Sequence, residues 1–506
     1  MFQISKRALY FSAFVLAVLL SVEAFHLRAA AILRRSPECS IPDDSFVIYG
    51  VGESTAVGEP YDPEMEMVKL VKLELGGAAG KRKIVTVNIA QEGASIFPQA
   101  TALYRALSCR NKDVPGVVLV YSGNNDSGYP VPVSALEKLE ERVLYRSRLL
   151  TDAIFFIEKD LIYRFQLDRR FPTLRPSGLH WWEFNIRSIT HMSLESGLVP
   201  IFSTVATNMA DMSPAIDDVF YGAGISAPQA LALIKTGRRL ESQGRYGEAI
   251  KFYAAQEKRY PEERPFLEYR IGKCYERLGR YKLALSYFET VLNTPRMDNY
   301  GRATNPQNDY IRSLAKRYSL PLVDEVKIFS EHSPHGLMGM NLFSDGHHPN
   351  AEGYALLADA YSQAVARRFH VPIRRPFRNA RNLFQAIGFS PAERLHSLLS
   401  SGCWLFSVSA HHYYPWYRLK MARAYFARAT ALSPRNFDAW MGLGLVDAAM
   451  HGDFLAEQNN IDFLSRYNLY YGSYQISERD LPAIVKHLRA NGVPQNVLEK
   501  IRTTYR

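Results

Sequence analysis

Hydrophobic residues along this chain fall into a few recurring patterns. Short apolar runs rich in β-branched residues occur at Phe46–Tyr49, Lys83–Asn88, Val114–Tyr121, Val199–Thr204 and Leu320–Asp324. Runs of this length and composition predict buried strands. Between them, apolar positions at helical spacing predict helices within 136–161, at Ala100–Leu107 and at Asn308–Tyr318. A further helix after Pro349 places Tyr354, Leu357, Ala358, Tyr361 and Val365 on one face, which predicts packing on a sheet. Strands alternating with helices predict a three-layer α/β core with a parallel, doubly wound sheet. Met65–Leu75 is an alternating stretch that ends in Gly76 and Gly77. Gly50, Gly52 and Gly58 predict a sharp, open turn after the first strand. The aromatic knot Leu179–Glu183 reads as a packed corner, with a lip over the site as the other reading.

From Leu231 to Pro295 the period changes. Gly237, Leu240, Gly244, Ala249 and Tyr253 recur as Gly272, Tyr275, Gly279, Ala284 and Phe288, each 35 positions further on (237 to 272, 249 to 284, 253 to 288). A period of this length predicts paired helices in which a small residue lets two helices touch and an aromatic fills the gap. Two repeats are too few to stand alone, so they are expected to lean on the neighbouring domain. Arg374–Pro376 reads as a linker. Beyond it Ala422, Phe426, Ala429 and Pro434, then Trp440, Leu443 and Gly444, repeat the same small-and-aromatic pattern in degenerate form.

At 506 residues the chain exceeds one ordinary core. The expected division is a signal peptide or signal anchor over 1–35, an α/β domain in two parts (36–225 and 298–372), a helical insertion over 226–297 and a helical domain over 373–506. Lys6 and Arg7 precede an apolar run from Ala8 to Phe25 that only Glu23 interrupts. Its place and flanks predict a membrane anchor through residues 8–25, with the rest of the chain extracytoplasmic, or secreted if the segment is cleaved. The net charge of +11 favours anionic partners. No zinc-finger spacing, RNA-binding signature or dense Lys/Arg block is present, which excludes nucleic acid as the expected partner. Cys39, Cys109, Cys274 and Cys403 show no CxxC spacing. They read as four separate buried thiols rather than a metal cluster, with disulfides allowed in an oxidising compartment but no pairing readable.

Candidate chemistry lies in the loops after the strands: Ser54 in Gly52-Glu53-Ser54, then Gly93, then Gly123-Asn124-Asn125-Asp126, then Asp345-Gly346-His347-His348. A serine at the carboxyl end of a strand sits where open α/β sheets bind ligands. It becomes a nucleophile if an imidazole reaches it and a carboxylate fixes that imidazole. Asp345, three residues before His348 across a glycine turn, can reach its ring. His347 and His348 as metal ligands are the competing reading.

The block order Ser, Gly, Asn, Asp-x-x-His resembles the SGNH, or GDSL-type, hydrolase family over about residues 46–130 and 198–370, and the 35-residue spacings resemble tetratricopeptide repeats. The resemblance implies a flavodoxin-like sheet and ester hydrolysis without metal or cofactor. It implies Ser54 as nucleophile, His348 as base, Asp345 as its orienting acid, and the N–H groups of Ser54 and Gly93 with the Asn125 amide as oxyanion hole. The implied substrate is an ester, in a lipid or an acylated carbohydrate. The helical repeats would contact a protein partner. The chain departs from the family at Glu53, where Asp is usual, and at Thr55, where the GDSL form has Leu. An α/β-hydrolase elbow fits less well, since it requires glycine at Ala56. Two further classes stay open: acyl transfer to a sugar hydroxyl, and a membrane-tethered scaffold that has lost activity.

Overall fold

The computed structural model describes residues 40–126, 128–156, 178–213, 227–261, 264–294, 302–409, 416–451, 481–490, 493 and 495–504. The predicted anchor over 8–25 lies outside the described residues, and among those described no helix is long and apolar enough to cross a membrane.

Among the described residues, six strands form one sheet: β1 (Ser45–Gly52), β2 (Ala78–Ala79), β3 (Arg82–Asn88), β4 (Gly116–Tyr121), β5 (Val199–Ser203) and β6 (Leu322–Val323). Their order is β2-β3-β1-β4-β5-β6. β1 pairs in parallel with β3 and β4, β4 with β5, and β5 with β6. Only β2 runs antiparallel, against β3. The sheet is therefore mixed but mostly parallel. With β2 set aside, the five parallel strands lie in the order 2-1-3-4-5, whose switch point falls between β1 and β4.

Helices α1 (Ser54–Val57), α2 (Met67–Glu74), α3 (Ile96–Leu107), α4 (Ala135–Val143), α5 (Arg148–Phe156) and α6 (Leu179–Glu195) lie between β1 and β5. Between β5 and β6 come α7 (Ala227–Ser242), α8 (Tyr246–Arg259), α9 (Arg264–Arg277), α10 (Tyr281–Leu292) and α11 (Asn305–Tyr318). After β6 come α12 (Glu325–Glu331), α13 (Ala351–Phe369), α14 (Ala380–Ile387), α15 (Pro391–Ser409), α16 (Trp416–Leu432), α17 (Phe437–His451), α18 (Leu481–Ala490) and α19 (Gln495–Thr504).

β1 is buried along its whole length and feeds two cores. Phe46 and Ile48 face one, shared with α2, α12 and α13. Val47, Tyr49 and Val51 face the other, shared with α3, α6 and α11. The alternation follows from the two-residue period of a strand, and it gives three layers. The predicted face of α13 is buried at all five positions.

Several expectations are corrected. The alternating stretch at 65–75 is a helix, because Met67, Leu70, Val71 and Glu74 recur at helical spacing beneath the alternation and are buried together. Gly50 and Gly52 do not turn the chain; they lie inside β1. A Cβ at Gly52 would sit 2.6 Å from the Tyr121 carbonyl oxygen, so the glycine permits close approach of β4. The turn itself comes at Gly58, where φ is 116°. The aromatic knot, by contrast, is the packed corner expected: Trp182 is fully buried and Trp181 stacks on Phe184. The linker at 374–376 is pinned, since the Glu74 carbonyl accepts from the Arg374 and Arg375 N–H groups and the Glu74 carboxyl from that of Phe377. Cys109 is disulfide-bonded, whereas Cys274 and Cys403 are buried free thiols. Asp345 does not follow a strand directly, because α12 intervenes after β6.

The inserted helices pack as the repeat predicts. A Cβ at Gly237 would meet the ring of Tyr253 at 2.3 Å, and one at Gly272 the ring of Phe288 at 2.7 Å. Tyr269, Ala284, Phe288, Val291 and Leu292 belong to the same core as the α13 face of the sheet, so α9 and α10 lean on the α/β domain. The C-terminal helices repeat the device once more, with Phe426 lying against both Gly402 and Gly442.

Candidate active site

β1 ends at the switch point and delivers Ser54 as the first residue of α1, with 8% of its surface exposed. The turn is held from behind by α13, whose Tyr354 hydroxyl donates to the carbonyls of Thr55 (3.0 Å) and Glu59 (2.7 Å). Gly58 and Glu59 close it with N–H bonds to the Ser54 carbonyl.

The second half comes from the turn between α12 and α13. A bridge between Phe343 and Pro349 and a bond from Ser344 N–H to the His348 carbonyl (2.7 Å) pinch it shut. This aims His348 at the serine: Nε2 lies 2.7 Å from Ser54 Oγ, and Nδ1 lies 2.6 Å from Asp345 Oδ2. Asp345 Oδ1 accepts the N–H groups of His347 (2.9 Å) and His348 (2.8 Å). A carboxylate only accepts, so the proton belongs on Nδ1 and Nε2 is left to accept from the serine hydroxyl. Burial alone would raise the Asp345 carboxyl, but the charge and hydrogen bond of His348 hold it well below the usual range. For His348, burial lowers the pKa, and the Asp345 charge and hydrogen bond outweigh it, so the net direction is upward.

Beneath the serine is a charged residue that the sequence marked only as a departure. Glu53 is fully buried. Its Oε1 accepts from Ser122 Oγ (3.0 Å) and Gly123 N (2.9 Å), and its Oε2 from Asn124 N (2.9 Å) and Asn125 N (3.1 Å). One side chain from the β1 turn thereby shapes the whole loop after β4. Burial pushes Glu53 up to about 7 against these donors. Asp126, which caps α3 through Ile96 N–H (2.9 Å), is pushed well above its usual range by burial and then by the charge of Glu53. A charge in an otherwise apolar strand-to-turn segment requires buried partners, and that was the available signal.

Asn125 is half-buried in this loop. Its amide donates to the Ala94 carbonyl (3.3 Å), tying the loop after β4 to the one after β3. Gly93 lies exposed just before Ala94, with φ of 65°. Gln91 N–H reaches back to the Gly52 carbonyl at 3.1 Å. Ser54, Asp345 and His348 thus form one hydrogen-bonded row, and Asn125 and Gly93 stand in adjoining loops.

Among the described residues, two groups place three possible metal ligands within 4.8 Å of one another: Asp345, His347 and His348, and the acidic trio Glu59, Asp62 and Glu92. In the first, both ring nitrogens of His348 already have partners, so coordination there would cost the contact with Asp345 or Ser54. Sequence reasoning also missed Asn208. It is fully buried, donates to the Asp345 carbonyl through Nδ2 (2.7 Å) and to the Gly346 carbonyl through its N–H (3.0 Å). Nothing in the local pattern of residues 206–213 marks it.

No protein-family model matches the chain, and no curated protein does.

Proposed function

We propose that this chain is a serine hydrolase of the SGNH type, held at a membrane through residues 8–25 with its α/β domain extracytoplasmic, and that it cleaves carboxylic esters through an acyl-enzyme on Ser54. The observation that carries this is the continuous row from Ser54 Oγ through His348 to Asp345, assembled from segments 294 residues apart. A disulfide at Cys109 fits an oxidising compartment.

In this mechanism Ser54 Oγ attacks the ester carbonyl carbon while its proton passes to His348 Nε2. Asp345 keeps the ring oriented and offsets the imidazolium charge. The oxyanion is met by the Ser54 N–H, which at the first turn of α1 has no intrahelical acceptor, and by the Gly93 N–H and the Asn125 amide. The contact of Asn125 with Ala94 uses one amide hydrogen, and the other is available to the oxyanion. Collapse expels the alcohol, which takes the proton from His348. Water then attacks the acyl-enzyme with the same base, releasing the acid and restoring Ser54. The ester belongs to a lipid or an acylated carbohydrate, and the tetratricopeptide-like helices offer a surface to a protein partner.

The test is labelling of the purified full-length protein, in detergent, with a fluorophosphonate probe. Wild type is expected to label, with Ser54→Ala and His348→Ala unlabelled. A folded wild type that does not react would remove the hydrolase assignment and favour a scaffold.

A further inference from the structure

The loop between β5 and the inserted helices touches both the insertion and the Asp345–His348 turn. Two donors on successive turns of α9 converge on one carbonyl of this loop: Tyr269 Oη (2.9 Å) and Lys273 Nζ (3.1 Å) both donate to Ala210 O. Lys273 also lies 3.5 Å from Asp211 Oδ1, and is itself buried. Asp211 Oδ2 accepts from Met340 N–H (3.0 Å), and Ala210 N–H donates to Met338 O (3.0 Å), so the loop is stitched to the segment that leads into Phe343. A Cβ at Gly339 would lie 2.3 Å from Asp211 Oδ2, which leaves no slack between the two segments. Asp211 N–H in turn donates to Asn208 Oδ1 (3.0 Å), and Asn208 grips the carbonyls of Asp345 and Gly346. Arg302 Nη1 donates to the Asn208 carbonyl from a further side (3.3 Å).

We propose that Asn208 is a positioning residue for the Asp345–His348 dyad, and that Tyr269 and Lys273 of the inserted helix α9 hold it in place through Ala210 and Asp211. The proposal rests on the hydrolase assignment for its consequence, since it makes the helical insertion part of the support of the active site. Asn208 touches no reacting atom. It fixes the backbone of the turn from which Asp345 orients His348, and misplacing a catalytic group by about 1 Å costs up to about 100-fold.

The experiment uses full-length protein with Asn208→Ala, and with the double variant Tyr269→Phe/Lys273→Met, which removes both donors to Ala210 while leaving Asn208 in place. Two readouts are taken beside thermal melting: kcat and KM on an activated ester, and the low-field proton resonance of His348 Nδ1–H. In Asn208→Ala, kcat is expected to fall about 10- to 100-fold with KM unchanged, and the resonance to shift or broaden. The double variant is expected to move both readouts in the same direction by a smaller amount. If Asn208→Ala does not fold, the double variant decides. Folded variants with wild-type kcat and an unmoved resonance would overturn the proposal. A wild type that shows the resonance but neither labels nor turns over would sink the hydrolase assignment instead, and the shift of the resonance in the variants would still judge the positioning role.

Discussion

Each half of the candidate site is organised around a buried carboxyl, and the two behave differently. In the turn before α13, Asp345 accepts two backbone N–H groups and one ring N–H. Under Ser54, Glu53 accepts three backbone N–H groups and a hydroxyl. By count of donors Glu53 is the better solvated, yet it is pushed up to about 7 while Asp345 is held well below its usual range. Burial opposes ionisation in both. The difference lies in the neighbouring titratable group: Asp345 has at 2.6 Å the His348 ring, which becomes positive when protonated, whereas Glu53 has the carboxyl of Asp126 nearby. At Glu53 the amide donors offset only part of the effect of burial, whereas at Asp345 the charge and hydrogen bond of His348 outweigh it. Asp345 is therefore the more readily ionised of the two, and Glu53 holds its loop through four donors without a partner of opposite charge.

The sharpest way to break this comparison is to remove the charge from the first half. Asp345→Asn keeps the size but takes away the acceptor that fixes the His348 tautomer, and kcat is expected to fall by on the order of 10⁴. The pH profile carries the sign. A raised His348 stays protonated to higher pH, so wild-type kcat/KM should climb with pH through a limb whose midpoint lies above the ordinary histidine value of about 6.5. In Asp345→Asn that limb should move down. A limb that stays put would mean that Asp345 is not what raises His348.

The second half predicts a smaller and different loss. Glu53→Gln replaces one acceptor by an NH₂ group that faces backbone donors, leaving at least one buried N–H without a partner. Stability is expected to drop by about 1–3 kcal/mol. The loop that carries Asn125 would shift with it, and loss of one oxyanion donor costs about 10²–10³ in kcat. Chemical denaturation and ester kinetics check both parts. Unchanged kcat in a destabilised variant would confine Glu53 to folding.

What could be read from the chain follows the same division. Ser54, Asn125, Asp345 and His348 each sit in a short local pattern of glycine and polar residues after a strand or before a helix, and those patterns survive in the structure. The buried run of β1 and the face of α13 were legible because apolar runs and periodicity are local properties. Glu53 was visible only as a departure, since its four donors come from residues about 70 positions away. Asn208 was invisible, since its value lies in reaching a turn 137 residues on. The helix at 67–74 was obscured because Glu74, a buried carboxyl that accepts from Phe377 N–H, stands where an apolar residue would have completed the stripe. Buried polar contacts over long separations leave no periodic trace in the sequence.

Glu325 extends the comparison to a carboxyl with still fewer donors, and it predicts the smallest effect. At the start of α12 it is fully buried, accepts from Ala206 N–H (2.7 Å) and the Tyr121 hydroxyl (3.4 Å), and is pushed up to about 8, with burial the leading cause. Its folded pKa lies above its unfolded value near 4.5. Between those two values the folded chain keeps a proton that the unfolded chain has released. The contribution to stability therefore falls as pH rises from about 4.5 to 8, and levels off above that. Glu325→Gln, neutral at every pH, should leave activity unchanged and flatten the decline of melting temperature across that window. The decline would not vanish, because Glu53, Glu74 and Glu140, each pushed up to about 7, act in the same direction. Calorimetry of the two proteins at matched pH values reads the difference in slope directly. Parallel curves would mean that Glu325 is ionised in the folded chain, and that the donors from Ala206 and Tyr121 suffice to hold its charge, unlike those of Glu53.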